Sequence, residues 1–381
     1  MPGCQPTLLD EELKRKAALT RRGAFLAELG EAVPWDRLEG LVAPLYYGGR
    51  AGRAGRPAVP LPVMLRMYIV SVVYNLSDRA CQDERDDSAS VRSFVGLGER
   101  DAPDETTLCK FRHLLEEGGL GERMLAEVNA ALAERGAAVS RGTIVDATFV
   151  EAPVSTKNRE GARDPEAHQG GKGNVWHFGY RAHVGVDADS GLVHTVEVTA
   201  ANVSDVAAAH LLARAGDQEA WADSGYTGVA RRPEVASDPA LARVAWHVAA
   251  KRSKVQEADR PFERALSSVR SRVEHPFHVV KDLFGIRKVR CRGLAKAAHL
   301  VRVAFALANL LLARRAPRRC VAPHEALRAG AEAQGEAPAA PPRADARAAD
   351  ARANPHGGRP PPGTACGAGA EGRERIKSDS P

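Results

Sequence analysis

Thr143-Ile144-Val145-Asp146-Ala147-Thr148-Phe149-Val150 is β-rich and apolar on both faces, the composition of a strand buried in the middle of a sheet. Asp146 interrupts it. An unpaired carboxylate in such a strand costs several kcal/mol, so something compensates its charge, and a metal ion is one candidate. An aspartate capping a turn at a strand end is the other reading, which the continuing strand Ala147 to Val150 disfavours.

Downstream, residues 151–177 are polar, glycine-rich and basic, too long for an ordinary connection. Strands are predicted over Phe178–Val186 and Leu192–Thr199, joined by the turn signal Asp187-Ala188-Asp189-Ser190-Gly191. A helix over Asn202–Arg214, a strand Glu219–Ala222 ending at Asp223, and a strand Arg243–Ala250 follow, before a long helix from Pro261 to Phe284 and another at 294–315. Three antiparallel strands, a helix, a strand, then another strand and helix is the order of a ribonuclease-H-like α/β domain.

Upstream the period is helical. Residues 8–32 read as amphipathic helices separated by Gly23, an N-terminal arm. Gly48 to Pro62 reads as a flexible basic linker whose Arg50, Arg53 and Arg56 suit either phosphate or solvent. Helices are predicted at Val63–Asn75, Asp78–Asp87, Ser90–Val95, Asp104–Glu117 and Gly121–Arg135. Pro103-Asp104-Glu105-Thr106-Thr107 gives the clearest start, a carboxylate N-cap before Leu108, Phe111, Leu114 and Leu115. The region serves equally as a compact DNA-binding domain or as a packing or dimer domain. The division is 1–135 all-α, 136–315 α/β, and a low-complexity tail, 316–381, without an aromatic residue and expected to be disordered.

The 381 residues, 44% hydrophobic, can fill two cores, and the net charge of +6 suits a polyanionic partner. Six scattered cysteines form no C-x-x-C pair and read as reduced thiols. The longest apolar stretches, 67–74 and 303–313, are broken or too short to span a bilayer, so neither secretion nor a membrane is expected. His168, His177, His183 and His194 lack metal-site spacing. Trp176 and Trp246 can stack on an unpaired base, packing being their more ordinary use.

Two further acids stand out. Asp223, in Trp221-Ala222-Asp223-Ser224-Gly225-Tyr226, ends a strand where α/β folds place ligands, although a turn-forming Asp before Ser-Gly is the commoner meaning. Glu274 lies on the long helix whose Phe262, Leu266, Val269, Val273, Phe277, Val280 and Phe284 bury one face. At about 100° per residue, Arg270, Glu274 and Lys281 share a different face, either a solvated ion-pair face or one acid flanked by two cations. Pro276, which lacks an N–H, should kink the helix just after Glu274. Were the three acids to meet, they would repel each other without a cation. Two divalent ions about 3.5–4 Å apart serve phosphoryl transfer, and hard Mg²⁺ takes carboxylate oxygens.

The chain resembles the insertion-sequence transposases of the IS-five group, within the DDE transposase superfamily. The resemblance rests on Pro103-Asp104-Glu105-Thr106-Thr107, Phe111-Arg112-His113-Leu114-Leu115, Gly142-Thr143-Ile144-Val145-Asp146-Ala147-Thr148 and Ser155-Thr156-Lys157-Asn158. It continues through Gly185–His194, Ala201-Asn202-Val203, Ala222-Asp223-Ser224-Gly225-Tyr226 and Arg272-Val273-Glu274-His275-Pro276-Phe277, in order over roughly residues 8–315. It implies a ribonuclease-H-like catalytic core in which Asp146, Asp223 and Glu274 bind Mg²⁺, with Mn²⁺ able to substitute, at two ions per site. It implies DNA as partner, through the element's terminal inverted repeats and a target, a homodimer in the active complex, and a cytoplasmic, nucleoid-associated protein. The family's signature around the glutamate is matched by Arg270, Glu274 and Lys281, while Ser267 stands at its tyrosine position. Lys157, Lys172 and Arg181 join Arg270 and Lys281 as candidate phosphate contacts.

Overall fold

Alternation along Gly142–Glu151 decides the architecture: Ile144 and Val150 enter one hydrophobic core and Val145 another, so this strand, β1, is covered on both faces. The computed structural model describes residues 12, 15–16, 20–48, 58–97, 102–137, 142–251, 253, 255–257 and 259–315, all within one unit. The residues expected to form most of the basic linker, 49–57, and the tail, 316–381, lie outside them.

Helices come first: α1 (Arg21–Ala32), α2 (Trp35–Gly48), α3 (Leu61–Val73), α4 (Asp78–Asp87), α5 (Ala89–Val95), α6 (Glu105–Glu117) and α7 (Leu120–Glu134). Asp104 caps α6 as its sequence implies, Oδ1 accepting from the Thr107 N–H at 2.7 Å. Gly23 does not separate two helices but is buried inside α1, whose start is capped by Thr20. Helix α2 was not predicted. It carries Pro44 and Gly40, yet Leu38, Val42 and Tyr46, at four-residue spacing, bury one face of it, and that packing overrides the local breakers.

The sheet adds β2 (His168–Lys172), β3 (Val175–Asp187), β4 (Val193–Ala200), β5 (Glu219–Ala222) and β6 (Ala245–Val248) to β1. Strand β3 runs antiparallel to β1, with Asp146 opposite Val184, and β4 antiparallel to β3. On its other side β5 runs parallel to β1 and β6 parallel to β5, with the short helix α9 (Pro233–Ala236) between β5 and β6 in the chain. The resulting order, β4-β3-β1-β5-β6, is the mixed α/β arrangement expected of a ribonuclease-H-like core. The 151–177 connection is not loop throughout: β2 and the start of β3 pair as a hairpin across Gly173 and Asn174. The predicted helix over 202–214 is shorter, α8 (Asp205–Ala208) followed by a 3₁₀ turn, Ala209–Leu211. Asp217 ends it, its carboxylate accepting from the Arg214 backbone N–H at 2.8 Å and the guanidinium at 2.7 Å.

Helix α12, Leu294–Arg315, is the helix expected at 294–315 and extends the apolar stretch 303–313 on both sides. Its length and composition would cross a membrane, but 72% of its apolar window is buried inside the protein. It packs against α7 and β4, so one core runs from Leu26 through Val128 to Val196 and Leu311. Fully buried Asn309 fastens this junction. Its Oδ1 accepts from the Val193 N–H at 2.9 Å, and its Nδ2 donates to Val193 O at 2.7 Å and to Asn129 Oδ1 at 2.8 Å. Asn309→Leu leaves the Val193 N–H buried and unpaired, and should destabilise by on the order of 2 kcal/mol in urea denaturation. An unchanged midpoint would show that the clamp contributes nothing.

Candidate active site

The last described pair between β1 and its parallel neighbour β5 is Ile144 opposite Trp221. Two residues further along each strand stand Asp146 and Asp223, on the Ile144 face by the two-residue alternation of side chains. Neighbouring strands are about 4.8 Å apart, so the two acids leave the sheet side by side at the C-terminal end of β5. Asp146 Oδ1 accepts from the Ala147 N–H at 2.7 Å, and Asp223 Oδ1 from the Gly225 N–H at 2.8 Å, where it opens the 3₁₀ turn Ser224–Tyr226. Both are half-buried. Asp223 therefore also has the turn-forming role that its Ser-Gly sequel suggests.

The segment that leads to Glu274 packs on this same face. Helix α10 (Arg260–Arg270) packs on β5, the 3₁₀ turn Ser271–Val273 packs on β1, and Leu266, Val269 and Val273 enter the same core as Ile144. Glu274 comes next, exposed, and opens α11 (Glu274–His278). The long helix expected over 261–284 is thus divided into α10, the 3₁₀ turn, α11 and a π-helical turn, Val279–Leu283. Proline explains the first break: Pro276 cannot donate to the Arg272 carbonyl, and restarting the helix at Glu274 puts it in the first turn, where no N–H is needed. The π turn closes through the Phe284 N–H on Val279 O at 2.9 Å. Facing computed at a uniform 100° per residue therefore does not carry from Arg270 to Lys281. Among the described residues, no three His, Cys, Asp or Glu side chains stand close enough together to hold a metal ion. The β1–β5 register brings Asp146 and Asp223 next to each other, and no group of three that includes Glu274 is found among the described residues.

The candidate cations differ in their surroundings. Arg270 is half-buried with its Nε lacking a hydrogen-bond partner. Lys281 is half-buried in the π turn. Lys157 is exposed in the β1–β2 loop, and Lys172 closes β2, its side chain lying outside the described residues. Arg181 bonds the Asp205 carboxylate and stacks on Phe149 at 4.6 Å. Trp176 is 71% exposed on the β2–β3 hairpin, so it is not the packing residue expected.

Two residues that sequence reasoning passed over belong to this neighbourhood. Asp205 opens α8, and Tyr226 is buried three residues after Asp223. Burial, followed by the charges of Asp205, Asp146 and Asp223, pushes the Tyr226 phenol well up. Helix α8, which Asp205 opens, packs on the Ser224–Tyr226 turn. The Asp-Ser-Gly-Tyr run is the only local hint of this neighbourhood.

Residues 137–310 match the family model described as Transposase DDE domain, and residues 14–114 match one described as Transposase domain (DUF772). No solved structure matches the chain. The two matches are both to transposase domains, and together they support a DDE transposase. Divalent-metal use is implied by the DDE family, and the donor chemistry fits: the adjacent carboxylates of Asp146 and Asp223 offer hard oxygens.

Buried histidines set an acid limit on this core. Burial and then Arg181 lower His183 to about 4, and burial and then Arg112 and Arg302 lower His299 to about 4. Unfolded histidines titrate near about 6.5, so below that pH the unfolded chain takes up protons that the folded chain refuses. Stability should be flat above this window and fall as the pH drops from about 6.5 toward 4, by up to about 1.4 kcal/mol per pH unit for each histidine. Urea titrations between pH 7 and 5 should show a shallower fall for His183→Gln; an identical slope would remove His183 from this account.

Proposed function

We propose that the chain is a transposase of the IS-five insertion-sequence group, in which Asp146, Asp223 and Glu274 bind divalent cations and act on the element's DNA ends. The observation that carries this is the parallel register of β1 and β5, which puts Asp146 and Asp223 side by side on the face that α10 and the Ser271–Val273 turn cover. The ions would be Mg²⁺, with Mn²⁺ as a substitute, two to a site; when bound they lower the pKa of an attacking water and neutralise charge on the phosphate. Hydrolysis frees a 3′-hydroxyl, and that hydroxyl then attacks target DNA. Both are in-line displacements at phosphorus, so one set of acids serves both.

The chain's basic residues have a complementary task. Arg270 and Lys281, on the segments either side of Glu274, are suited to hold the phosphate undergoing attack, and Lys157 and Lys172 to hold neighbouring phosphates, which Arg181 would join only through donors that Asp205 leaves over. Ser267 supplies no aromatic ring at the family's tyrosine position. In this reading residues 1–135 recognise the terminal inverted repeats, with the basic linker near 48–62 lying along the backbone, and 136–315 carry out the chemistry. Two copies in a homodimer would hold the two ends. The protein would work in the cytoplasm, at the nucleoid.

A second reading is a catalytically silent DNA-binding remnant, favoured by the lack of a preassembled three-acid group among the described residues. Nicking of DNA carrying the element's ends separates the two. The transposase reading expects Mg²⁺-dependent cuts, reduced about 100-fold or more by Asp146→Asn or Glu274→Gln in protein that stays folded. DNA binding without cutting under any divalent ion would favour the remnant.

A further inference from the structure

The Tyr226 side chain is 0% exposed, and its hydroxyl has no hydrogen-bond partner. Leaving such a group unpaired costs roughly 1–3 kcal/mol. A phenylalanine would fill the same space among Val145, Ala209 and Ala222 without that cost. Helix α8, opened by Asp205, packs on the turn that carries Tyr226, and the charges of Asp205, then Asp146 and Asp223, act on the phenol without any of them accepting its proton.

Asp205 is backed by side chains of the sheet. Arg181 donates to Asp205 Oδ2, and His183 Nδ1 stands 3.7 Å from Asp205 Oδ1, while His183 Nε2 lies 2.9 Å from the Thr199 hydroxyl. Both Arg181 and His183 are fixed on β3, hydrogen-bonded to β1 through the pairs Phe149 with Arg181 and Ala147 with His183. A Cβ built on Gly225 would stand 2.9 Å from Asp223 Oδ1 and 3.6 Å from Asp205 Oδ2. The two carboxylates therefore flank one glycine, and the absence of a side chain there lets them approach.

We propose that Tyr226 is a positioning residue of the acidic site, its hydroxyl donating to these carboxylates when a divalent cation draws them together, with Arg181 holding Asp205 as the fixed member of the set. This rests on the reading of Asp146 and Asp223 as metal ligands. The hydroxyl is an unused donor among the protein's own groups. Cation binding gives it an acceptor whose orientation it then fixes, as outer-layer hydrogen bonds do around metal-binding carboxylates.

Tyr226→Phe removes that donor alone. Binding of Mn²⁺ to the full-length protein, read by electron paramagnetic resonance of the free ion, should weaken about 10-fold or more. The melting temperature without metal should stay level or rise, since no existing hydrogen bond is lost. A fall in the metal-free melting temperature would overturn the proposal, because it would mean a structural role for the hydroxyl. Unchanged Mn²⁺ affinity in Tyr226→Phe, with binding lost in Asp146→Asn, would overturn it while leaving the metal site intact. Unchanged affinity in both variants would overturn the metal-site reading as well.

Discussion

The register of β1 against β5 fixes the geometry on which the rest of the site depends. A slip of one residue in that pairing would send Asp146 to the Val145 face and separate it from Asp223. The register is over-determined. Nine residue pairs, from Thr143–Asp187 to Glu151–Gly179, tie β1 to β3, and each face of β1 meets a different core. A long antiparallel partner thus locks a strand whose parallel neighbour contributes only Glu219–Ala222.

The surrounding helices make this lock cooperative. Helix α12 returns from the far side of the chain to pack on α7 and β4, and Asn309 satisfies both polar groups of Val193 inside that contact. The core therefore does not stop where the helical sequence gives way to the strand sequence. Whatever the N-terminal helices bind, they do so as part of the same hydrophobic body that holds β4, β3 and β1 in place.

The sequence made the regular parts legible and the irregular ones obscure. Asp146 announced itself because a charge in an apolar strand violates a simple pattern, and Asp104 because a cap obeys one. The hairpin at Gly173-Asn174 carried a readable turn signal inside a stretch too polar to suggest strands. Asp205 and Tyr226 could not be found in this way. Each lies on a short irregular turn, and their proximity follows from the β1–β5 and β1–β3 registers, which no local period encodes. The segment around Glu274 was half legible: Pro276 foretold an interruption, but only tertiary packing dictates a 3₁₀ turn before it and a π turn after it.

Those turns set where Glu274 leaves the helix, and in the proposed site it would have to join the two aspartates from there. An exposed acid on a restarted helix can rotate toward a cation at low cost, whereas Asp146 and Asp223 are held by the sheet. The most direct measurement is cleavage of the protein's own backbone by Fe²⁺ bound in place of Mg²⁺, with ascorbate and peroxide, and the cut sites read by mass spectrometry. Cuts clustered near residues 146, 223 and 274, all suppressed by excess Mg²⁺, are the predicted result. Cuts that spare any one of these three segments, or that persist in excess Mg²⁺, would contradict the account.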